Sequence, residues 1–150
     1  EELGVAVKAW EEAGVDLFHA STRRFYQPEW PGAGPDGDDL GLAGWTTRLG
    51  TSPVITVGSV GMRDLLFGGA DDQGALDPLA SLGELVRRFN RGDFALVAAG
   101  RAMIGDPDWV NKLRDGDPGS IVPFSNDLIG GDLDRWDMRL VMEGLRVRTQ

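Results

Sequence analysis

The sequence has no cysteine among its 150 residues and only one histidine. The absence of cysteine excludes disulfide bonds, thiolate metal sites and cysteine nucleophiles, so any redox chemistry requires a bound cofactor. No segment reaches the roughly 18 consecutive apolar residues that a membrane helix needs. The first residues also lack the charged-then-apolar pattern of a signal peptide. We therefore expect a cytoplasmic protein without a membrane partner.

Basic residues are in the minority, with 15 Lys and Arg against 24 Asp and Glu and a formal net charge of −9. Scattered carboxylates of this kind are typical of a solvated surface and do not favour a nucleic-acid partner. The length and the 41% apolar content are ordinary for one compact domain with a core. The chain begins at Glu1, without Met and already inside a helical pattern, so we expect a fragment or a processed product.

Helical periodicity alternates along the chain with short apolar runs. Helices are predicted over 3–13, 42–49, 78–91 and 107–115, with a last one near 136–146. Buried strands are predicted over 15–20, 53–57 and 94–99. This alternation is typical of parallel βαβ units, so the predicted fold class is α/β with a parallel sheet. Periodicity alone leaves open whether the sheet is open or part of a barrel.

Two glycines, Gly58 and Gly100, fall at the carboxyl ends of successive predicted strands, and Arg101 follows the second. Backbone amides can approach an anion closely at such positions, and a guanidinium suits phosphate oxygens. In (β/α)8 enzymes the loops after strands seven and eight commonly form a phosphate site. Each residue alone is more often a turn or surface residue, but their equivalent positions favour a phosphate site. No G-x-G-x-x-G motif opens a helix, which argues against a dinucleotide fingerprint.

Segments 13–21, 53–61, 93–101 and 106–109 resemble the old yellow enzyme family of NAD(P)H:flavin oxidoreductases in order and spacing, over roughly residues 1–128. The resemblance implies the C-terminal part of a (β/α)8 TIM barrel, with strands six to eight and their helices. Residues 1–150 would form this partial barrel, with the loops for the FMN phosphate in 1–116 and a tail in 117–150. The resemblance assigns the FMN phosphate to four residues, Gly58, Ser59, Gly100 and Arg101.

The complete protein would then be an FMN-dependent NAD(P)H oxidoreductase of the ene-reductase type, which reduces activated C=C bonds of α,β-unsaturated compounds. Its substrate would be a small electrophilic alkene. The family's catalytic groups come from earlier strands, so we assign no catalytic residue and no metal site to this chain and expect it to be inactive alone. The alternatives are a non-catalytic fragment, a half-barrel that forms homo-oligomers, and a different phosphate-binding barrel.

A long loop rich in Gly and Pro follows the first predicted strand, over 21–39. Its aromatic and basic side chains either contact substrate or nicotinamide, or pack the loop onto the rim of the fold, and the sequence favours neither. These side chains are Arg23, Arg24, Phe25, Tyr26 and Trp30. His19, the single histidine, is expected to be a packed core residue and not a catalytic base.

Overall fold

The computed structural model describes residues 1–33, 39–62 and 78–124. Helices alternate with strands in these ranges, as the sequence predicts. The helices are α1 (Glu2–Glu12), α2 (Leu42–Leu49), α3 (Pro78–Arg91), α4 (Arg101–Gly105) and α5 (Trp109–Arg114), and the strands are β1 (Phe18–Ser21), β2 (Val54–Val57) and β3 (Leu96–Val97). The predicted last helix near 136–146 and Asp77, the expected N-cap of α3, lie outside the described residues.

The three strands form one parallel sheet in the order β1-β2-β3. Phe18 is paired with Val54, and Ile55 is paired with Leu96. The predicted parallel sheet is therefore confirmed. Parallel pairing brings the carboxyl ends of the strands to one edge, so the loops that follow β2 and β3 are neighbours there.

Glycines end two of the helices in the way the sequence predicts. Gly14 follows α1 with φ +96°, and Gly92 follows α3 with φ +85°. The amide of Gly14 donates to the Glu11 carbonyl at 2.9 Å, and the amide of Gly92 donates to the Phe89 carbonyl at 2.9 Å. Left-handed glycines at these positions satisfy carbonyls that the helix itself leaves without partners.

Two clusters of buried side chains make up the core. The first lies between α2 and the sheet and consists of Ala20, Ala43, Val54 and Phe94. The second lies beside the loops that follow the strands and consists of Phe25, Val60, Met62, Ala102 and Trp109. Both loops at the carboxyl edge of the sheet are thus anchored in apolar packing.

The opposite face of the sheet has little cover in the described part of the chain. Strand pairing places His19, Ile55 and Leu96 side by side on this face. His19 is exposed, so the prediction of a packed core histidine is wrong: it lies on the face away from α2. The predicted burial of the third strand is also wrong, because Leu96 is 52% and Val97 40% exposed. Within the described ranges β3 is an edge strand, paired only with β2.

Arginines on α3 hold the long loop after β1. Arg88 is buried, and it donates to the Glu84 carboxylate at 2.6 Å and to the Tyr26 carbonyl at 2.9 Å. Arg91 donates to the carboxylate of Asp39, at the returning end of the loop, at 2.7 Å. The loop is therefore fixed to α3 on either side of residues 34–38.

Candidate functional site

A cavity of about 580 Å³ lies at the carboxyl edge of the sheet. Its volume falls within the roughly 300–1,000 Å³ of small-molecule sites. The lining residues come from the ends of all three strands and the loops after them: Thr22, Arg23, Val57, Gly58, Ser59, Val60, Met62, Ala98, Gly100 and Arg101. All four residues predicted for the phosphate site, Gly58, Ser59, Gly100 and Arg101, therefore line one cavity.

Gly58 is required by the backbone of the loop after β2. Its φ is +137°, and a Cβ atom there would lie 2.5 Å from the carbonyl oxygen of Thr22. The Thr22 hydroxyl donates to the Val57 carbonyl at 2.9 Å. The chain after β1 thus packs directly against the chain after β2, and a side chain at Gly58 would push them apart.

Ser59 has a role that the sequence did not indicate. Its φ is +51°, which is uncommon for a residue other than glycine. Its side chain is largely buried, and its hydroxyl donates to the carbonyl of Arg23 at 3.0 Å. The hydroxyl proton is therefore engaged in a hydrogen bond within the protein, and this bond holds Arg23 beside the loop after β2.

Gly100 differs from Gly58 because nothing in the described structure requires a glycine there. Its φ of −95° is open to any residue, and a Cβ atom would meet no described atom within 4 Å. The residue immediately precedes α4, a short helix that the sequence did not predict, and its carbonyl accepts from the amides of Met103 and Ile104. Gly100 is exposed and is one of the residues that line the cavity.

Arg101 supplies a positive charge from the second loop. Its side chain is half-buried, and the central guanidinium carbon lies 5.8 Å from the centre of the Phe124 ring. This distance is within the range of a cation–π contact. Ala102, the next residue, is buried in the second core cluster, so the start of α4 is fixed on its inner side.

Asp106 holds the segment that supports these loops. Its buried carboxylate accepts from the Lys112 ammonium at 2.6 Å and from the amide of Val122 at 2.9 Å. These bonds, led by that from Lys112, hold the pKa of Asp106 below its usual range. Trp109 of α5 lies against Gly61, where a Cβ atom would come within 2.7 Å of the indole ring. The conspicuous segment 106–109 thus positions the cavity loops and does not line the cavity.

The charge of the cavity is opposite to that of the whole chain. The net charge of the chain is −9, whereas the described lining contains Arg23, Arg101 and no carboxylate. Arginine presents several donors in a geometry that matches phosphate and carboxylate oxygens. The described part of the cavity is therefore suited to an anionic ligand.

The aromatic side chains of the long loop do not line this cavity. Phe25 is 3% exposed in the second core cluster, and Tyr26 meets its ring edge-to-face at 5.2 Å. Trp30 lies edge-to-face with Trp45 at 5.7 Å. Arg24 is buried, while Arg23 is exposed at the cavity. Phe25 and Tyr26 therefore pack into the fold, Trp30 is 43% exposed away from this cavity, and of the five loop side chains only Arg23 lines it.

Residues 1–33, 39–62 and 78–124 contain no group of three or more His, Asp or Glu side chains arranged for a metal ion. In the same ranges no helix is both long and apolar enough to span a bilayer. No model of a known protein family matches the chain, and no curated protein does.

Proposed function

We propose that the cavity binds the phosphate of FMN, and that the chain is the FMN-binding part of a cytoplasmic NAD(P)H-dependent oxidoreductase of the old yellow enzyme family. One observation supports this most directly. The four residues that the resemblance assigns to the flavin phosphate, Gly58, Ser59, Gly100 and Arg101, line the same cavity. They form two adjacent pairs, 58–59 and 100–101, which lie about forty residues apart in the sequence and are brought together by the parallel sheet.

The residues fit a phosphate ester by size and by charge. The cavity volume of about 580 Å³ leaves room for more than an inorganic anion. Arg101 can donate two parallel hydrogen bonds to phosphate oxygens. The space beside Gly100 would let a ligand approach the backbone of that residue, where a side chain would intervene.

We also propose that β1, β2 and β3 are strands six, seven and eight of a (β/α)8 barrel. Their parallel order and the alternation with helices support this arrangement. The face opposite α2, with His19, Ile55 and Leu96, would be the inner face of the barrel. Phosphate sites of such barrels lie at the loops after the last two strands, and under this proposal the loops after β2 and β3, which line the cavity, would be those loops.

When bound, FMN would supply hydride transfer from NAD(P)H to an electron-poor alkene. The residues of this chain would bind and orient the cofactor. Arg101 would neutralise phosphate charge, and the loops at Gly58 and Gly100 would fix the end of the ligand farthest from the reacting ring. Among the described residues we assign none to proton transfer, so the chain alone is expected to bind without catalysing.

The test is a comparison of FMN with riboflavin, which has the same ring and no phosphate. Each is titrated into the 150-residue chain, and binding is measured by calorimetry and by flavin absorbance after gel filtration. We expect FMN to bind more tightly than riboflavin, and Arg101→Gln to remove most of the difference. Arg114→Gln is the matched control, because Arg114 is exposed on α5 and paired with its neighbour Asp115.

Equal affinity for the two flavins would contradict a phosphate site in this cavity. Binding of inorganic phosphate without binding of FMN would instead favour the alternative of a different phosphate-binding barrel, since the two glycine loops and Arg101 would serve any phosphate ester.

A further inference from the structure

We infer that Arg23 is a second cation of the anion site, that Ser59 positions it, and that the two arginines make the cavity selective for a dianionic phosphate ester. The inference rests on the proposed phosphate site and adds to it the residue that sets the charge of the preferred ligand. Nothing in the sequence distinguishes Arg23 from Arg24, the neighbouring basic residue of the long loop.

The backbone of Arg23 is fixed to the loop after β2. The amide of Thr22 donates to the Val57 carbonyl at 3.3 Å, and the Thr22 hydroxyl donates to the same oxygen at 2.9 Å. The Ser59 hydroxyl donates to the Arg23 carbonyl at 3.0 Å. These three bonds hold Arg23 beside Gly58 and Ser59, and its side chain lines the cavity.

The charge of Arg23 is available to a ligand. The side chain is exposed, and no carboxylate in the described ranges forms an ion pair with it. By contrast, Arg91 on α3 is paired with Asp39, and Arg114 is paired with Asp115. In a chain with 24 acidic residues, an arginine without a described acidic partner at the edge of a cavity is suited to an anionic ligand.

Serine at position 59 is explained by this positioning role. Its φ of +51° would suit glycine, which adopts positive φ without steric cost. Glycine, however, has no hydroxyl to hold the Arg23 carbonyl. The loop therefore uses a residue that is unfavourable for the backbone but forms the contact that places Arg23.

Two arginines match a phosphate ester better than a carboxylate. A phosphate monoester has a charge of about −1.5 to −2 near pH 7. One guanidinium would leave much of that charge uncompensated, whereas Arg23 and Arg101 together can balance it. A carboxylate needs only one of them, so the second arginine adds selectivity for the dianion.

The experiment measures the affinities of FMN, riboflavin and inorganic phosphate for the full 150-residue chain near pH 8, where phosphate is mainly a dianion. The variants are Arg23→Gln, Arg23→Lys and Ser59→Gly, and Arg114→Gln is the control. We expect Arg23→Gln to weaken FMN and phosphate by about 3- to 10-fold and to leave riboflavin unchanged, because an exposed charge contact is screened. Arg23→Lys should retain most of the affinity, because it keeps the charge.

Ser59→Gly tests the positioning role. It removes the hydroxyl but accepts the positive φ, so the thermal midpoint should not fall while the ratio of FMN to riboflavin affinity decreases. A merely structural role would weaken both flavins together. A direct contact between Ser59 and the phosphate would lower the ratio equally in an Arg23→Gln background, whereas a role through Arg23 would have no further effect there. An unchanged ratio in Ser59→Gly would overturn the positioning role of Ser59.

The outcomes separate the inference from the proposed function. If FMN binds and Arg23→Gln leaves its affinity unchanged, or weakens riboflavin equally, the inference is overturned and the flavin site stands. If phosphate binds in an Arg23-dependent way but FMN does not bind, the flavin function is overturned and the two-arginine site stands. If neither ligand binds, both are overturned.

Discussion

Replacing Gly58 with alanine should destabilise the chain, whereas replacing Gly100 with alanine should leave its stability unchanged or raise it. Both glycines line the cavity. At Gly58, φ is +137° and the new methyl group would lie 2.5 Å from the Thr22 carbonyl oxygen. Backbone strain in this region costs about 1–3 kcal/mol, and overpacking costs a further 1–3 kcal/mol. Gly58→Ala should therefore lower the free energy of unfolding by about 2–6 kcal/mol.

At Gly100 the same substitution meets no described atom within 4 Å, and φ is −95°. Replacing glycine where the conformation is allowed reduces the entropy of the unfolded chain, so stability should stay the same or rise by about 0.4–1 kcal/mol. The methyl group would enter the cavity where the ligand is proposed to approach the backbone. We expect FMN affinity to fall at least tenfold, which corresponds to about 1.4 kcal/mol.

Urea denaturation of both variants measures stability, and flavin titration of Gly100→Ala measures affinity. Gly14→Ala is a useful control for positive φ alone, because a Cβ atom at Gly14 also meets nothing within 4 Å while φ is +96°. The reasoning would be refuted if Gly100→Ala destabilised the chain as strongly as Gly58→Ala, or if it bound FMN as the parent chain does.

Three further predictions follow from single side chains. Arg101→Ala should weaken FMN binding by about 1.5–3 kcal/mol through loss of a charge-assisted contact, without affecting riboflavin; equal loss for both flavins would contradict phosphate binding by Arg101. The pKa of Asp106 is lowered, chiefly by Lys112, so its contribution to stability is present above the ordinary carboxyl pKa of about 4 and is lost as the pH falls through the lower folded value. Asp106→Asn should therefore reduce the free energy of unfolding at pH 7 and make it fall less steeply in acid. Urea titrations from neutral to acidic pH measure this dependence, and an unchanged slope of the unfolding free energy against pH would contradict this role of Asp106. Leu96 is 52% exposed, so Leu96→Asn should change the unfolding free energy of a monomer by no more than about 0.5 kcal/mol. Sedimentation that shows a parent dimer and a monomeric variant would instead indicate that a second copy covers this face.

The sequence predicted those parts of the fold that depend on local signals. The bounds of α2 were predicted as Leu42–Leu49, and Gly14 and Gly92 mark the ends of α1 and α3 through their positive φ values. The parallel sheet followed from the alternation of elements. Burial could not be predicted in the same way, because it depends on what covers a strand. An apolar run such as 94–99 has the pattern of a buried strand, yet only Leu96–Val97 pairs, and at an edge of the described sheet.

The residues of the site likewise divide into those that the sequence predicts and those that depend on tertiary contacts. Gly58, Gly100 and Arg101 could be predicted to lie together because the carboxyl ends of adjacent parallel strands are neighbours, whereas Ser59 came from the family resemblance. Arg23 was one of several candidates in the long loop and could not be singled out, because the hydrogen bond from the Ser59 hydroxyl to its carbonyl helps to hold it at the cavity. No pattern of residue spacing in the sequence indicates that hydrogen bond.

The glycines around the cavity distinguish contacts within the protein from contacts with a ligand. Gly58 is required by Thr22 and by its own φ, and Gly61, with φ +66°, is required by the indole ring of Trp109. Both can be explained without a ligand. Gly100 has neither a positive φ nor a close described neighbour, and the same holds for Gly83 and Gly119, so described contacts do not require a glycine at these positions. What separates Gly100 from those two is its place in the cavity lining beside Arg101, where the proposed anion would contact the backbone.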